Sequence, residues 1–234
     1  MIQVEGIFSG GSAISAPIIG EDFNWTGGDG TYQVLDDGGG NWRIKFLSSG
    51  TFTPLKNMVV DAFLLGAGGG SGSDYCGAGG AGYTTTVRSV VLAANTAYPL
   101  VIGAAGTQTY TVQSDGGTSS AFSAVANGGH HSVSGDKTWK KTGANGGSGG
   151  GGQYADGGTD GSDGATGDTA GGKGQGTTTR EFGEADGDLY ASGGGKNLKA
   201  TVPNSGNGGY YASQSSVKPA DGIVVIRQHK EVAA

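Results

Sequence analysis

Apolar residues along this chain come in short runs of strand length, separated by turn-forming residues. Residues 31–35 and 42–47 flank Asp36-Asp-Gly-Gly-Gly-Asn41 and predict a hairpin, the second run alternating apolar with basic. Residues 51–55 follow the turn signal Ser48-Ser-Gly50, and residues 58–65 form the most apolar run. Residues 83–92 are rich in Thr and Val; 98–102, 120–125 and 223–227 complete the predicted strands. No segment carries helical periodicity with caps. The pattern predicts an all-β body, a small antiparallel β-sandwich with almost no α-helix, whose last strand comes from the C-terminal end.

Glycine changes this picture. The 234 residues include 52 Gly and only 5 Pro, and Gly loses more backbone entropy on folding than any other residue. The Gly-rich segments fall mostly between the predicted strands, and the longest spans 143–176. Every third position there reads Gly143, Gly146, Gly149, Gly152, Ala155, Gly158, Gly161, Gly164, Gly167, Ala170, Lys173, Gly176. Three residues per turn is the period of the polyproline II helix, which has no internal hydrogen bonds. A Gly edge lets neighbouring backbones approach and bond to one another, so the frame predicts a polyglycine II sandwich. Collagen is the poorer account, because no Pro lies between Trp139 and Val202. Drawn out straight, the stretch would span roughly 105 Å, against a radius of gyration of roughly 17 Å for a compact chain of this size. It is therefore expected to fold back, with Ala155, Ala170 and Lys173 as candidate turns. The organisation read from the chain is an arm, or a first strand pair, at 1–30; a glycine-rich domain at 31–228; and a tail at 229–234.

Charge and motifs exclude more than they assign. The net charge of −6 with no basic run argues against nucleic acid as a partner. No stretch is long and apolar enough for insertion into a membrane, and residues 1–5 do not resemble a signal peptide. Gly77-Ala-Gly79-Gly-Ala-Gly82 matches a dinucleotide fingerprint, but strand-like residues follow it where a helix is needed; no cofactor is expected. Asp156, Asp160, Asp163 and Asp168 fit no calcium loop, and His130-His131 has no third metal ligand nearby in sequence. Glu184, Asp186 and Asp188 lie on a Gly-interrupted loop with nothing visible to hold them rigid, so catalysis is not expected and the protein is not read as an enzyme. The single Cys76 suits a small buried residue.

The order of elements resembles the glycine-rich domain proteins of phages and prophages. The residues that carry the likeness are "NWRIKFLSSGTFTPLKNMVVDAFLLGAGGGSG", "GAGGAGYTTTVRSVVLAANTAYPLVIGAAG", "GGTSSAFSAVANGG" and "DGIVVIRQ". In architecture the Gly frame also resembles the distal tail-fibre adhesins of T-even-like phages, in which stacked polyglycine II helices hold receptor-binding loops. The resemblance implies a virion protein at a tail tip, made in the host cytoplasm. Its implied partners are a host cell-surface glycan or protein, other virion proteins, and further copies in a homo-oligomer. The loop residues expected to contact a receptor are His130, His131, Trp139, Lys140, Arg180, Phe182, Tyr190, Tyr210 and Tyr211, because aromatics and Arg dominate binding hot spots. Trp139, Phe182 and Tyr210 equally suit a structural role as caps on the Gly layer. A purely structural virion component is the alternative.

Overall fold

A computed structural model describes residues 16–72, 77–109, 111–132, 143–150, 179–195, 202–212 and 215–229. The alternating runs form strands β1 (Phe23–Trp25), β2 (Tyr32–Gly38), β3 (Asn41–Phe46), β4 (Gly50–Pro54), β5 (Met58–Leu65), β6 (Thr84–Leu92) and β7 (Tyr98–Leu100). They continue with β8 (Ser119–Ala121), β9 (Ala124–Ala126), β10 (Tyr210–Ala212), β11 (Ser215–Val217) and β12 (Ile223–Gln228). All ladders are antiparallel. One sheet runs β2-β3-β12-β5-β6 and a second β1-β4-β7. The C-terminal strand β12 is therefore central, between β3 and β5. No α-helix occurs among the described residues, only a 3-10 turn at Glu181–Gly183.

Strand alternation decides what each face of the larger sheet meets. Ile44, Ile226 and Ala62 stand side by side across β3, β12 and β5, as do Phe46, Val224 and Leu64. These side chains turn inward with Trp42 and Val60 and pack on Phe23, Trp25, Phe52 and Leu100 of the smaller sheet. The rings of Trp25 and Phe46 lie 4.6 Å apart, and those of Phe23 and Phe52 5.4 Å. Each fully buried side chain of this size stabilises by about 1.5–3 kcal/mol, so this is the main core. β1 contributes Phe23 and Trp25 to it, so the described part of 1–30 includes a sandwich strand.

One expectation differs in detail. The single strand read at 120–125 is a tight hairpin, β8 and β9 joined by Phe122 and Ser123 with φ of 51° and 62°. Positive φ at both central residues matches the twist of a two-residue hairpin, normally signalled by Asn-Gly. Here the signal is missing, and Phe122 is held by its ring contact with Tyr98.

Beyond the sandwich the Gly segments form a layer of backbones. Successive amides of 66–70 donate to different neighbours and return to the same one every third residue. Gly66 and Gly69 bond to Tyr83 and Gly80, Ala67 and Gly70 to Gly117 and Ser114, and Gly68 to Ala220. The adjacent segment repeats the rule: Gly79 and Gly82 bond to Gly209 and Gly206, and Gly80 and Tyr83 to His130 and Asn127. A strand donates to its two flanks with period two; donation to three sides with period three is the polyglycine II arrangement. A Cβ at Gly68 would stand 1.8 Å from the Asn207 carbonyl oxygen, and one at Gly82 1.8 Å from that of Gly66. Only Gly permits these approaches.

The layer is thus built largely from short segments that the sequence pattern left as connections. Of the long frame, Gly143, Gly146 and Gly149 lie in it and are buried. Gly152, Gly158, Gly161, Gly164, Gly167 and Gly176 lie outside the described residues. Residues 143–150 fold back earlier than Ala155: Ala144 and Gly147 bond to Ala78 and Ala81, and Gly150 bonds to Ala144. Only Asn145 of this segment is exposed. The segment has layer neighbours on several sides, so more than one frame position must be small.

Candidate functional site

The Gly segments run from the sandwich to one far end. Gly66, Tyr83, Gly117, Asn127 and Gly222 adjoin strands, whereas Gly70, Gly79, Ser114, Ser132 and Gly209 are bonded together several residues farther out. At that end the Gln108 amide donates to the carbonyls of Tyr210 and Val217, at 3.2 and 3.0 Å. Its oxygen accepts from the Ser71 N–H. One side chain thereby ties the β10–β11 hairpin to the layer. Asp115 does the same for the next loop. It accepts from the His131 N–H at 2.8 Å and contacts both imidazoles, with His130 Nδ1 at 3.0 Å. Burial pushes the Asp115 carboxyl up, but these hydrogen bonds outweigh it and hold the group below its ordinary value. Asp115 joins His130 and His131 across 15 residues, a neighbour that sequence spacing did not show. The described residues contain no group of three or more ligands suited to a metal.

A model of the glycine-rich domain matches residues 47–229. The chain belongs to that family. No curated protein matches it. The fingerprint-like Gly77–Gly82 of this glycine-rich domain is layer backbone leading into β6, with no helix N-terminus to hold a pyrophosphate.

The proposed contact residues separate into two places. His130, His131 and Tyr210 stand at the far end of the layer, where strand β10 also places the Tyr211 backbone. Trp139 and Lys140 lie outside the described residues, between Ser132 and Gly143. Arg180, Phe182 and Tyr190 instead belong to a strap, residues 179–191, across the outer face of the larger sheet. Phe182 is buried there against Phe63, with the Arg227 guanidinium 4.1 Å from its ring centre. Arg180 bonds to the Gly187 carbonyl.

The strap exists because the sheet's outer face is charged. Register places Arg43, Arg227 and Asp61 side by side on β3, β12 and β5, with Lys45 one step along. Adjacent like charges repel, so the face needs anions. Glu184 clamps Arg227 with two bonds of 2.6 Å, the bidentate geometry that suits a guanidinium. The buried Glu181 meets Arg43, Lys45 and Tyr190, with 2.6 Å to Lys45 Nζ and 2.7 Å to the Tyr190 hydroxyl. Asp188 accepts from Lys45 at 2.6 Å. Burial pulls the Lys45 ammonium down, but its bonds to Asp188, Glu181 and Tyr190 prevail and hold it above its ordinary value. The bond from Lys45 in turn lowers Asp188. Glu184 and Asp188 therefore have partners on the sheet that the Gly-interrupted loop did not show in the sequence. They are held as paired anions around a cavity of about 290 Å³. Asp188, kept ionised by its partner, is a poor proton donor.

Proposed function

We propose that this glycine-rich domain is the receptor-binding adhesin at the tip of a phage tail fibre, recognising a glycan or protein on the bacterial surface. The observation that supports this reading is the far end of the Gly layer, where several segments finish together on a floor of backbone hydrogen bonds. Loops anchored on such a floor lose little entropy when they bind, because their ends are already fixed. His130, His131 and Tyr210 stand there with the Tyr211 backbone, and in sequence Trp139 and Lys140 fall between Ser132 and Gly143. In this reading the domain resides in the virion, with other tail proteins and the host receptor as its partners.

The test is binding of labelled purified protein to a panel of bacterial strains. Strain-selective binding is expected, and Trp139→Ala or Tyr211→Ala should reduce it by more than about 2 kcal/mol, the scale of a hot spot, with little change in melting. Protein that self-assembles but binds no strain would favour the structural alternative.

A further inference from the structure

The structure assigns a second site at the opposite end of the molecule, a Ser–His–Asp constellation formed by Ser89, His229 and Asp61. The three residues lie on different strands or strand ends, 28 and 168 positions from Asp61. His229 Nδ1 is 2.6 Å from Asp61 Oδ1, and Ser89 Oγ is 3.1 Å from His229 Nε2. A carboxylate on Nδ1 fixes the proton there and leaves Nε2 without one, with the Ser89 hydroxyl beside the ring and not yet on the Nε2 lone pair. That is the division of roles in a nucleophile–base–orienter triad, which is recognised by geometry and not by fold or residue order.

The surroundings fit those roles. Asp61 is fully buried and fixed by the Ser89 N–H, Arg88 and Arg227 at 3.1–3.2 Å. His229 is partly exposed and held by its own N–H on the Val59 carbonyl at 3.0 Å. Ser89 is exposed and sits where the β5–β6 register shifts, with φ of 56°. Strained backbone at a non-Gly residue tends to mark functional positions, and here it carries the nucleophile. Ser89 Oγ is also 3.5 Å from Nδ1, so the resting hydroxyl stands beside the ring. Such bonds commonly tighten only with substrate present. Val59 and Val91 face each other across β5 and β6, 41% and 74% exposed. They give the site an apolar lip suited to a short acyl chain.

The substrate class is a short-chain carboxylic ester. Ser89 Oγ attacks the ester carbonyl carbon and passes its proton to His229 Nε2, while Asp61 stabilises the imidazolium. Collapse of the tetrahedral intermediate breaks the bond to the alcohol oxygen, which leaves with the Nε2 proton. Water, deprotonated by His229, then releases the acid from acyl-Ser89. The net reaction is ester plus water to acid plus alcohol, with water as co-substrate. This site is independent of receptor binding at the other end.

The experiment uses the full chain with p-nitrophenyl acetate and butyrate, and separately with a fluorophosphonate probe read by peptide mass. Hydrolysis above buffer background is expected, with the probe on Ser89. Ser89→Gly, which suits the positive φ, and His229→Gln should each lower the rate by about a hundredfold, near the lower end of what a general base supplies, at unchanged melting temperature. Background-level hydrolysis, equal rates in wild type and both variants, or labelling elsewhere would overturn the assignment and leave Asp61 as a purely structural hub.

Discussion

At Gly106 a Cβ would stand 2.3 Å from the Ser114 carbonyl oxygen, whereas the nearby Ala104 is exposed. Backbone on both sides cannot rotate away as a side chain can. Gly106→Ala should therefore destabilise by about 1–3 kcal/mol, the usual cost of overpacking, and Gly68→Ala by at least as much. Ala104→Ser should stay within about 0.5 kcal/mol. Urea melts of the three variants check this, and equal midpoints would deny the layer a packing role. Phe182 makes a different case. Its ring fills the space between Phe63 and Arg227, so Phe182→Ala should cost about 3–5 kcal/mol in stability while leaving cell binding, corrected for folded fraction, unchanged. Loss of binding without loss of stability would return Phe182 to the receptor surface.

The strap and the charged sheet face behave as one element. Asp188 and Asp61 have folded pKa values below the ordinary 3.8. Each stabilises the fold fully above that value, and the contribution fades as pH falls through it toward the lower folded value. Lys45, raised above 10.5, contributes fully below that value and loses its contribution as pH rises past it. Denaturant unfolding should give a stability plateau at neutral pH with losses below about pH 4 and above about pH 10.5. Lys45→Met should reduce the alkaline loss but not abolish it, because burial also pushes the Tyr190 hydroxyl up. Glu181→Ala, which strands buried cations, should cost about 3–5 kcal/mol. A profile that Lys45→Met leaves unchanged would contradict this account. The β8–β9 hairpin offers an opposite test. Ser123 is exposed at φ of 62°, so Ser123→Gly should raise stability by up to about 1 kcal/mol by relieving the left-handed backbone.

For the whole molecule, rigidity of the Gly layer is what links fold to proposed function. Its amides are bonded within the layer and have few side chains to shield them. If the layer unfolds only with the sandwich, the amides of 66–70 and 79–83 should exchange as slowly as those of β5 and β12, with opening energies near the global value. Hydrogen exchange resolved by residue measures this directly. Layer amides exchanging orders of magnitude faster would mean that the loops stand on a soft base.

Strand positions were legible because they depend on local alternation: residues 42–47 and 58–65 had to bury one side wherever the chain placed them. The outer face was half legible. Arg43 and Lys45 announced a polar side, and Asp37 of the same hairpin pairs with Arg43, but Glu181 and Asp188, which meet both cations, lie more than 130 residues away in a segment that reads as a loop. The period of three at 143–176 revealed the kind of packing the chain uses, yet most of the described layer is made from pieces of four to seven residues, too short to show a period. Asp115 beneath His130 and His131, and Asp61 beneath His229 and Ser89, left no sequence signal at all, because contacts between distant strands and loops follow from register. By itself the sequence determined an all-β chain rich in backbone that can pack without side chains. The tertiary structure alone decided which backbones pack, since a Gly carries no pattern to say what it faces; its partner is set by where the neighbouring strands deliver the chain.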